Sequence, residues 1–161
     1  MAKVDIPFPT TGNEVVRIVD LTPMSAAVVR VSGPVSELPR LMGEAFAATS
    51  GAIELGHGRI AGPPFARYLD SGERVTAEVG FPVAGPVPES GRVHPTFLPG
   101  GTVVSAVHVG PYDTLHETYA RVQAWFAESG RTPAGEMWEV YWSEPVGDPA
   151  TWRTEVCWPV G

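Results

Sequence analysis

Two pairs of segments in this chain repeat at one fixed spacing, which restricts it to folds built from two copies of one unit. Val28-Val29-Arg30-Val31-Ser32-Gly33-Pro34 is answered by Ser105-Ala106-Val107-His108-Val109-Gly110-Pro111. Glu78-Val79-Gly80-Phe81-Pro82-Val83 is answered by Glu155-Val156-Cys157-Trp158-Pro159-Val160. Gly33 to Gly110 and Glu78 to Glu155 are both separations of 77 residues. The sequence therefore reads as a single domain, 1–161, holding an internal repeat over about 15–84 and 101–161. A period this long excludes a solenoid, whose repeats run to ~20–50 residues.

Each copy reads strand, helix, strand, strand. The apolar runs Val15–Val31 and Thr102–Val109 are strand-like and end at Gly-Pro turn signals. In the second copy, Thr114 with Glu117 is spaced as a capping box. Leu115, Tyr119, Val122 and Phe126 then recur at helical spacing, and Gly130 supplies the stop. The first helix begins near Ser36 as its cap, tolerates Pro39 in its first turn, and aligns Leu38, Met42, Ala45 and Thr49 on one stripe. Strand patterns follow at 65–69 and 74–83, then at 137–142 and 151–160, and a Pro/Gly-rich linker covers 84–101. These elements predict an α+β fold, an antiparallel sheet with two helices on one face and the other face left to bind.

Charge narrows the partners. The formal net charge is −7, Lys3 is the only lysine, and no run of arginines exists, so direct nucleic-acid binding is not expected. The lone Cys157 excludes an intrachain disulfide and a thiolate metal site. The N-terminal stretch MAKVDIPFPTTG lacks the apolar segment of a signal peptide, and no apolar run approaches the ~20 residues of a membrane span. A cytoplasmic protein without membrane contact is the expectation.

Four of the five tryptophans, Trp138, Trp142, Trp152 and Trp158, fall near the C-terminus among Tyr141 and the acids Glu136, Glu139, Glu144 and Glu155. Alternation along a strand puts Met137, Glu139 and Tyr141 on one face, and Trp138, Val140 and Trp142 on the other. Trp152, Thr154, Val156 and Trp158 share a side of the last strand. A carboxylate framed by aromatic rings suits a flat organic cation, each ring adding roughly 0.5–2 kcal/mol of cation–π attraction. The same pattern reads equally well as core packing with Glu139 at a solvated edge.

Other chemistry is poorly supported. His116-Glu117-Thr118-Tyr119-Ala120 starts like a zinc-protease helix, but Ala120 stands where the second ligand belongs. His108 lies beside Gly110-Pro111, where it lines a cleft or packs, whereas His57 and His94 carry no spacing signal. Cys157 alternates with tryptophans as packing, and no Ser sits in a nucleophile elbow. No metal and no cofactor are expected.

Val107-His108-Val109-Gly110-Pro111-Tyr112-Asp113-Thr114-Leu115, Trp138-Glu139-Val140-Tyr141 and Trp152-Arg153-Thr154-Glu155-Val156 resemble the gyrase-inhibitor-like (GyrI-like) small-molecule-binding family. Gly62-Pro63-Pro64-Phe65-Ala66-Arg67-Tyr68 and the Glu78–Val83 stretch fit the same pattern, so the resemblance covers the chain from about Val15 onward. Relatives include the effector-binding domains of multidrug-responsive regulators such as BmrR and of AraC-type regulators such as Rob. The resemblance implies a curved antiparallel sheet with a ligand cleft between the two units. It also implies an acidic residue, at Glu139, facing lipophilic aromatic cations, and an aromatic pocket position at Trp152. Trp138, Tyr141, Tyr112, Tyr68, Phe81 and His108 are further ligand-binding candidates by motif.

Unlike the regulators, this chain carries no helix-turn-helix pattern and is expected to act as a stand-alone binder that sequesters or senses drug-like cations. An alternative follows from stand-alone family members that hydrolyse cyclopropane rings in DNA-alkylating natural products. There Glu139 would activate water or stabilise developing charge, while a tyrosine such as Tyr112 or Tyr141 polarised the substrate carbonyl. A third reading is an inhibitor protein of DNA gyrase.

Overall fold

The structure, a computed structural model, describes residues 16–161. Val15, at the expected start of the first repeat, lies outside these residues, as does the MAKVDIPFPTTG segment. In chain order the elements are β1 (Arg17–Leu21), β2 (Met24–Pro34), α1 (Leu38–Leu55), β3 (Arg59–Ile60), β4 (Phe65–Ser71), β5 (Arg74–Ala84), β6 (Val93–Leu98), β7 (Gly101–Val109), α2 (Leu115–Ser129), β8 (Trp138–Tyr141) and β9 (Arg153–Pro159). They form two compact units, one of residues Pro23–Pro99 and one of residues 16–22 with 100–161.

In the unit of Pro23–Pro99 the strands run β4-β5-β2-β6, and β3 pairs with β5. In the other the order is β1-β7-β9-β8. The pairings within each unit are antiparallel. The expected α+β class and the duplicated strand-helix-strand-strand unit are therefore present, with β3 and β6 added in the unit of Pro23–Pro99 and β1 in the other.

The 77-residue spacing is conserved in the hydrogen-bonded register itself. Arg30 faces Glu78 across β2 and β5, and Val107 faces Glu155 across β7 and β9. Each partner is displaced by 77 residues from its counterpart. The next strand has a different spacing: Phe65 pairs with Gly80, while Trp138 pairs with Cys157. Phe65 therefore matches Trp138, Ala66 matches Glu139, and Tyr68 matches Tyr141, all at a separation of 73.

Each helix covers one face of its own sheet. α2 packs Val122 and Phe126 against Val104, Ala106 and Val156, with Leu115, Tyr119, Trp125 and Trp158 around them. The anticipated stripe of Leu115, Tyr119, Val122 and Phe126 is this packed face. α1 buries Ala45, Thr49 and Ile53, and Phe46 meets Phe81 of β5 edge-on at 5.6 Å.

Three local expectations are corrected. The run Val15–Val31 is not one strand: Thr22 and Pro23 separate β1 from β2, and β1 pairs with β7 instead of staying with the first copy. The 84–101 stretch is not all linker, because β6 pairs with β2 through it. Its Pro95 disguised it, yet proline is tolerated because β6 ends the strand order, where a missing N–H breaks no ladder. The side-chain caps also differ. Ser36 lies inside a 3-10 turn, Val35–Glu37, and α1 starts at Leu38 without a side-chain cap bond. Thr114 is the N-cap residue of α2, but its hydroxyl turns back to the Pro111 carbonyl at 3.0 Å. In both units a 3-10 turn precedes the α-helix, so backbone bonds replace the capping side chain. The Gly130 stop is as expected, with the left-handed φ of 72° that ends α2.

No helix among the described residues is long and apolar enough to cross a membrane.

Candidate functional site

The functional candidates divide according to the pleat. On β8, Glu139 and Tyr141 share the α2-bearing face with Val156 and Thr154 of β9, their cross-strand partners. Trp138 points to the opposite face and is 2% exposed, paired across from Cys157. Glu155 also lies on that opposite face, accepting from Ser105 Oγ at 2.6 Å and from Trp142 Nε1 at 3.0 Å. Its counterpart Glu78 has Arg30, Arg67 and His94 at 3.5, 3.7 and 3.6 Å. The acids that make the repeat visible are thus buried structural carboxylates. Glu136 and Glu144 are exposed.

Glu139 is different in kind. It is 6% exposed, and its two oxygens accept from two phenols: Tyr119 of α2 donates to Oε2, and Tyr141 donates to Oε1 at 2.7 Å. Donation into both oxygens suits the carboxylate anion, because hydrogen bonds to the charged form offset the cost of burying it. In the sequence Tyr119 stands out only as part of the helix stripe. Its signal was available: it is the member of that stripe with a hydroxyl, which a fully apolar contact does not require.

Beside Glu139 stands an aromatic group. The Tyr112 ring meets Tyr141 edge-on at 6.1 Å and lies tilted against Trp152 at 5.1 Å. The backbone fixes these rings. Gly110, at φ 141°, donates its N–H to the Trp152 carbonyl at 2.8 Å, a conformation that favours glycine. Trp152 in turn anchors its indole N–H on the Val146 carbonyl at 2.9 Å. Asp148 caps the short turn before Trp152 by accepting from Ala150 N at 3.0 Å.

Burial raises the Tyr112 phenol above its ordinary 10.0, and the negative charge of Glu139 raises it further. Tyr112 thus remains a neutral hydroxyl at physiological pH. Its side chain is still 41% exposed, so one flank of the aromatic group is open to solvent.

His108 is buried behind this group. Its Nε2 lies 3.0 Å from the Pro111 carbonyl and 3.0 Å from Thr114 Oγ1, and its Nδ1 lies 2.9 Å from Thr118 Oγ1. A carbonyl only accepts, so Nε2 donates to Pro111, and Nδ1 bonds Thr118 on the ring's other side. His108 therefore ties β7 to the turn that presents Tyr112. Tyr68 and Phe81 belong to the other unit, on the face of its sheet that α1 covers, with Tyr68 opposite Ala77 in the register.

The duplication supplies an internal comparison. Glu139, Thr154 and His108 stand where the other copy has Ala66, Ala77 and Val31. The polar groups are confined to one copy, on a framework that the other copy builds from apolar residues. No group of three or more His, Cys, Asp or Glu that would hold a metal occurs among the described residues.

Residues 14–161 match the family model of the GyrI-like small molecule binding domain. A comparison with curated proteins finds no match. Among solved structures, the chain is similar to the EcmrR C-terminal domain, with a TM-score of 0.82 and 19% identity over 92% of this chain and 98% of that one. Against the EcmrR chain in its complex with DNA the TM-score is 0.80 at 19% identity, covering 91% of this chain and 57% of that chain's length. SAV2435 bound to tetraphenylphosphonium gives 0.67 at 8% identity, covering 91% and 94%. A hydrolase from Listeria innocua gives 0.61 at 17% identity, covering 94% of each. At these identities the structural likeness concerns the fold.

Proposed function

Since the chain belongs to the family of GyrI-like small-molecule-binding domains, we propose that it binds lipophilic aromatic cations at Glu139. The observation that carries this reading is a buried carboxylate, oriented by Tyr119 and Tyr141, beside the partly open Tyr112–Trp152 aromatic group. The carboxylate supplies the countercharge, and the rings supply dispersion and cation–π attraction of roughly 0.5–2 kcal/mol each. Burial strengthens the pairing, since a charge pair at about 4 Å is worth ~4 kcal/mol at an effective dielectric of 20, against ~1 in water. The tetraphenylphosphonium complex of SAV2435 supports a cation of this type as the first probe. The chain acts on this reading as a binder of drug-like cations. Calorimetric titration with tetraphenylphosphonium tests it: saturable one-site binding is expected, and an absence of binding heat and of any thermal stabilisation rejects it.

A hydrolytic reading is supported by one further observation. The Tyr112 phenol is kept protonated partly by Glu139, as a donor to a substrate carbonyl must be. Glu139 would then activate water, and Tyr112, whose hydroxyl is not the one donated to Glu139, would stabilise the developing oxyanion; Tyr141 could do so only by releasing Glu139. Incubation with a cyclopropane-bearing DNA-alkylating compound, followed by product analysis, separates the two readings: an intact ring rejects hydrolysis.

A further inference from the structure

Thr154 is fully buried, and its Oγ1 has no hydrogen-bond partner among the described residues. It sits in the middle of a row on the α2-bearing face, between His108 of β7 and Tyr141 of β8. Neither neighbour serves it. The nitrogens of His108 are engaged by Thr118, Pro111 and Thr114, and the Tyr141 hydroxyl, whose proton goes to Glu139, makes no bond to Thr154. A buried hydroxyl without a partner is costly, and a methyl group of the same shape would relieve that cost.

The fold does not require this hydroxyl. The matching position in the other copy is Ala77, fully buried and apolar, opposite Tyr68 as Thr154 is opposite Tyr141. An unsatisfied hydroxyl thus occurs in the copy that carries Glu139, and the matching position in the copy that carries Ala66 has none.

We propose that Thr154 is a specificity-determining residue: its hydroxyl donates a hydrogen bond to an acceptor oxygen on the bound molecule. The preferred ligands are then aromatic cations that also carry a carbonyl, ester or amide oxygen, rather than cations with a purely hydrocarbon surface. This inference rests on the reading of Glu139 as the cation-binding carboxylate. An acceptor on the ligand would complete the row His108–Thr154–Tyr141, while Glu139, one row along β8, meets the charge.

The test is the isosteric variant Thr154→Val, assayed with two probes. Tetraphenylphosphonium has no hydrogen-bond acceptor, whereas rhodamine 6G is an aromatic cation bearing an ester. Thr154→Val is expected to melt at the same temperature as the wild type or higher, and to bind tetraphenylphosphonium unchanged. It is expected to lose about tenfold in affinity for rhodamine 6G, the effect of one hydrogen bond. Thr154→Ser, which keeps the hydroxyl, is expected to restore most of that loss. Equal affinities of wild type and Thr154→Val for both probes would overturn the inference, as would equal losses for both. Failure of the wild type to bind either cation would instead overturn the underlying reading of Glu139, and this inference with it.

Discussion

Tyr119 of α2 donates its phenol to Glu139 of β8, joining the helix to the strand at the carboxylate. The bond fixes which way the carboxylate points and ties the packing of α2 to the state of the site. Replacing Tyr119 with Phe keeps the ring against Val122 and its neighbours but removes a donor from a buried charge. The expected cost is about 1–3 kcal/mol in stability, read from urea unfolding midpoints at an unchanged m-value. A variant as stable as the wild type would mean that this hydroxyl does not support the carboxylate.

The Tyr112 phenol gives the site a signature at alkaline pH. Its pKa is raised above 10.0 by burial first and by the charge of Glu139 second. A raised pKa means that the folded protein holds this proton longer than the unfolded chain does. The associated stability is fully present below pH 10 and is lost as the pH rises through the raised value. Ultraviolet titration is expected to show a late-ionising tyrosine component that is diminished in Tyr112→Phe. In Glu139→Gln its midpoint should fall part of the way towards 10, because burial remains when the charge is removed.

Trp152 tests the aromatic wall separately from the charge. Trp152→Leu keeps an apolar side chain but removes the ring that lies against Tyr112 and the indole donor to Val146. Binding of tetraphenylphosphonium is expected to weaken by about 0.5–2 kcal/mol, roughly 2- to 30-fold by calorimetry. Unchanged affinity would remove Trp152 from the site.

Two glycines separate close backbone approach from simple flexibility. A Cβ on Gly80 would stand 1.9 Å from the Ala27 carbonyl oxygen, so Gly80→Ala is expected to disrupt the β2–β5 pairing. A Cβ on Gly43, within α1, meets nothing within 4 Å. Gly43→Ala is therefore expected to stabilise by about 0.5–1 kcal/mol, raising the melting temperature while Gly80→Ala lowers it.

The duplication was legible in the sequence because β2, β5, β7 and β9 must keep both their register and their buried acids, and that constraint holds two motifs at 77 residues. The matching of β4 with β8 was not legible, because its spacing is 73 and Phe65-Ala66 has diverged to Trp138-Glu139. The exchange of β1 and β6 between the halves was hidden for another reason. Pairing partners far apart in the chain leave no local pattern, and Pro95 made β6 read as linker. In the site, alternation alone placed Glu139 with Tyr141 and away from Trp138. It could not reveal Tyr119, whose contact with Glu139 depends on how α2 lies across the strands. Nor could it distinguish Glu139 from Glu155, since both are buried and only their surroundings differ.

The central claim is that Glu139 recognises positive charge. Its most direct test compares tetraphenylphosphonium with the neutral tetraphenylsilane, which keeps all four rings and carries no acceptor oxygen, titrated by calorimetry into the wild type and Glu139→Gln. The wild type is expected to favour the cation by about 2 kcal/mol, roughly thirtyfold, and Glu139→Gln to lose that preference while still binding the neutral compound. A cation preference that survives unchanged in Glu139→Gln would contradict the account.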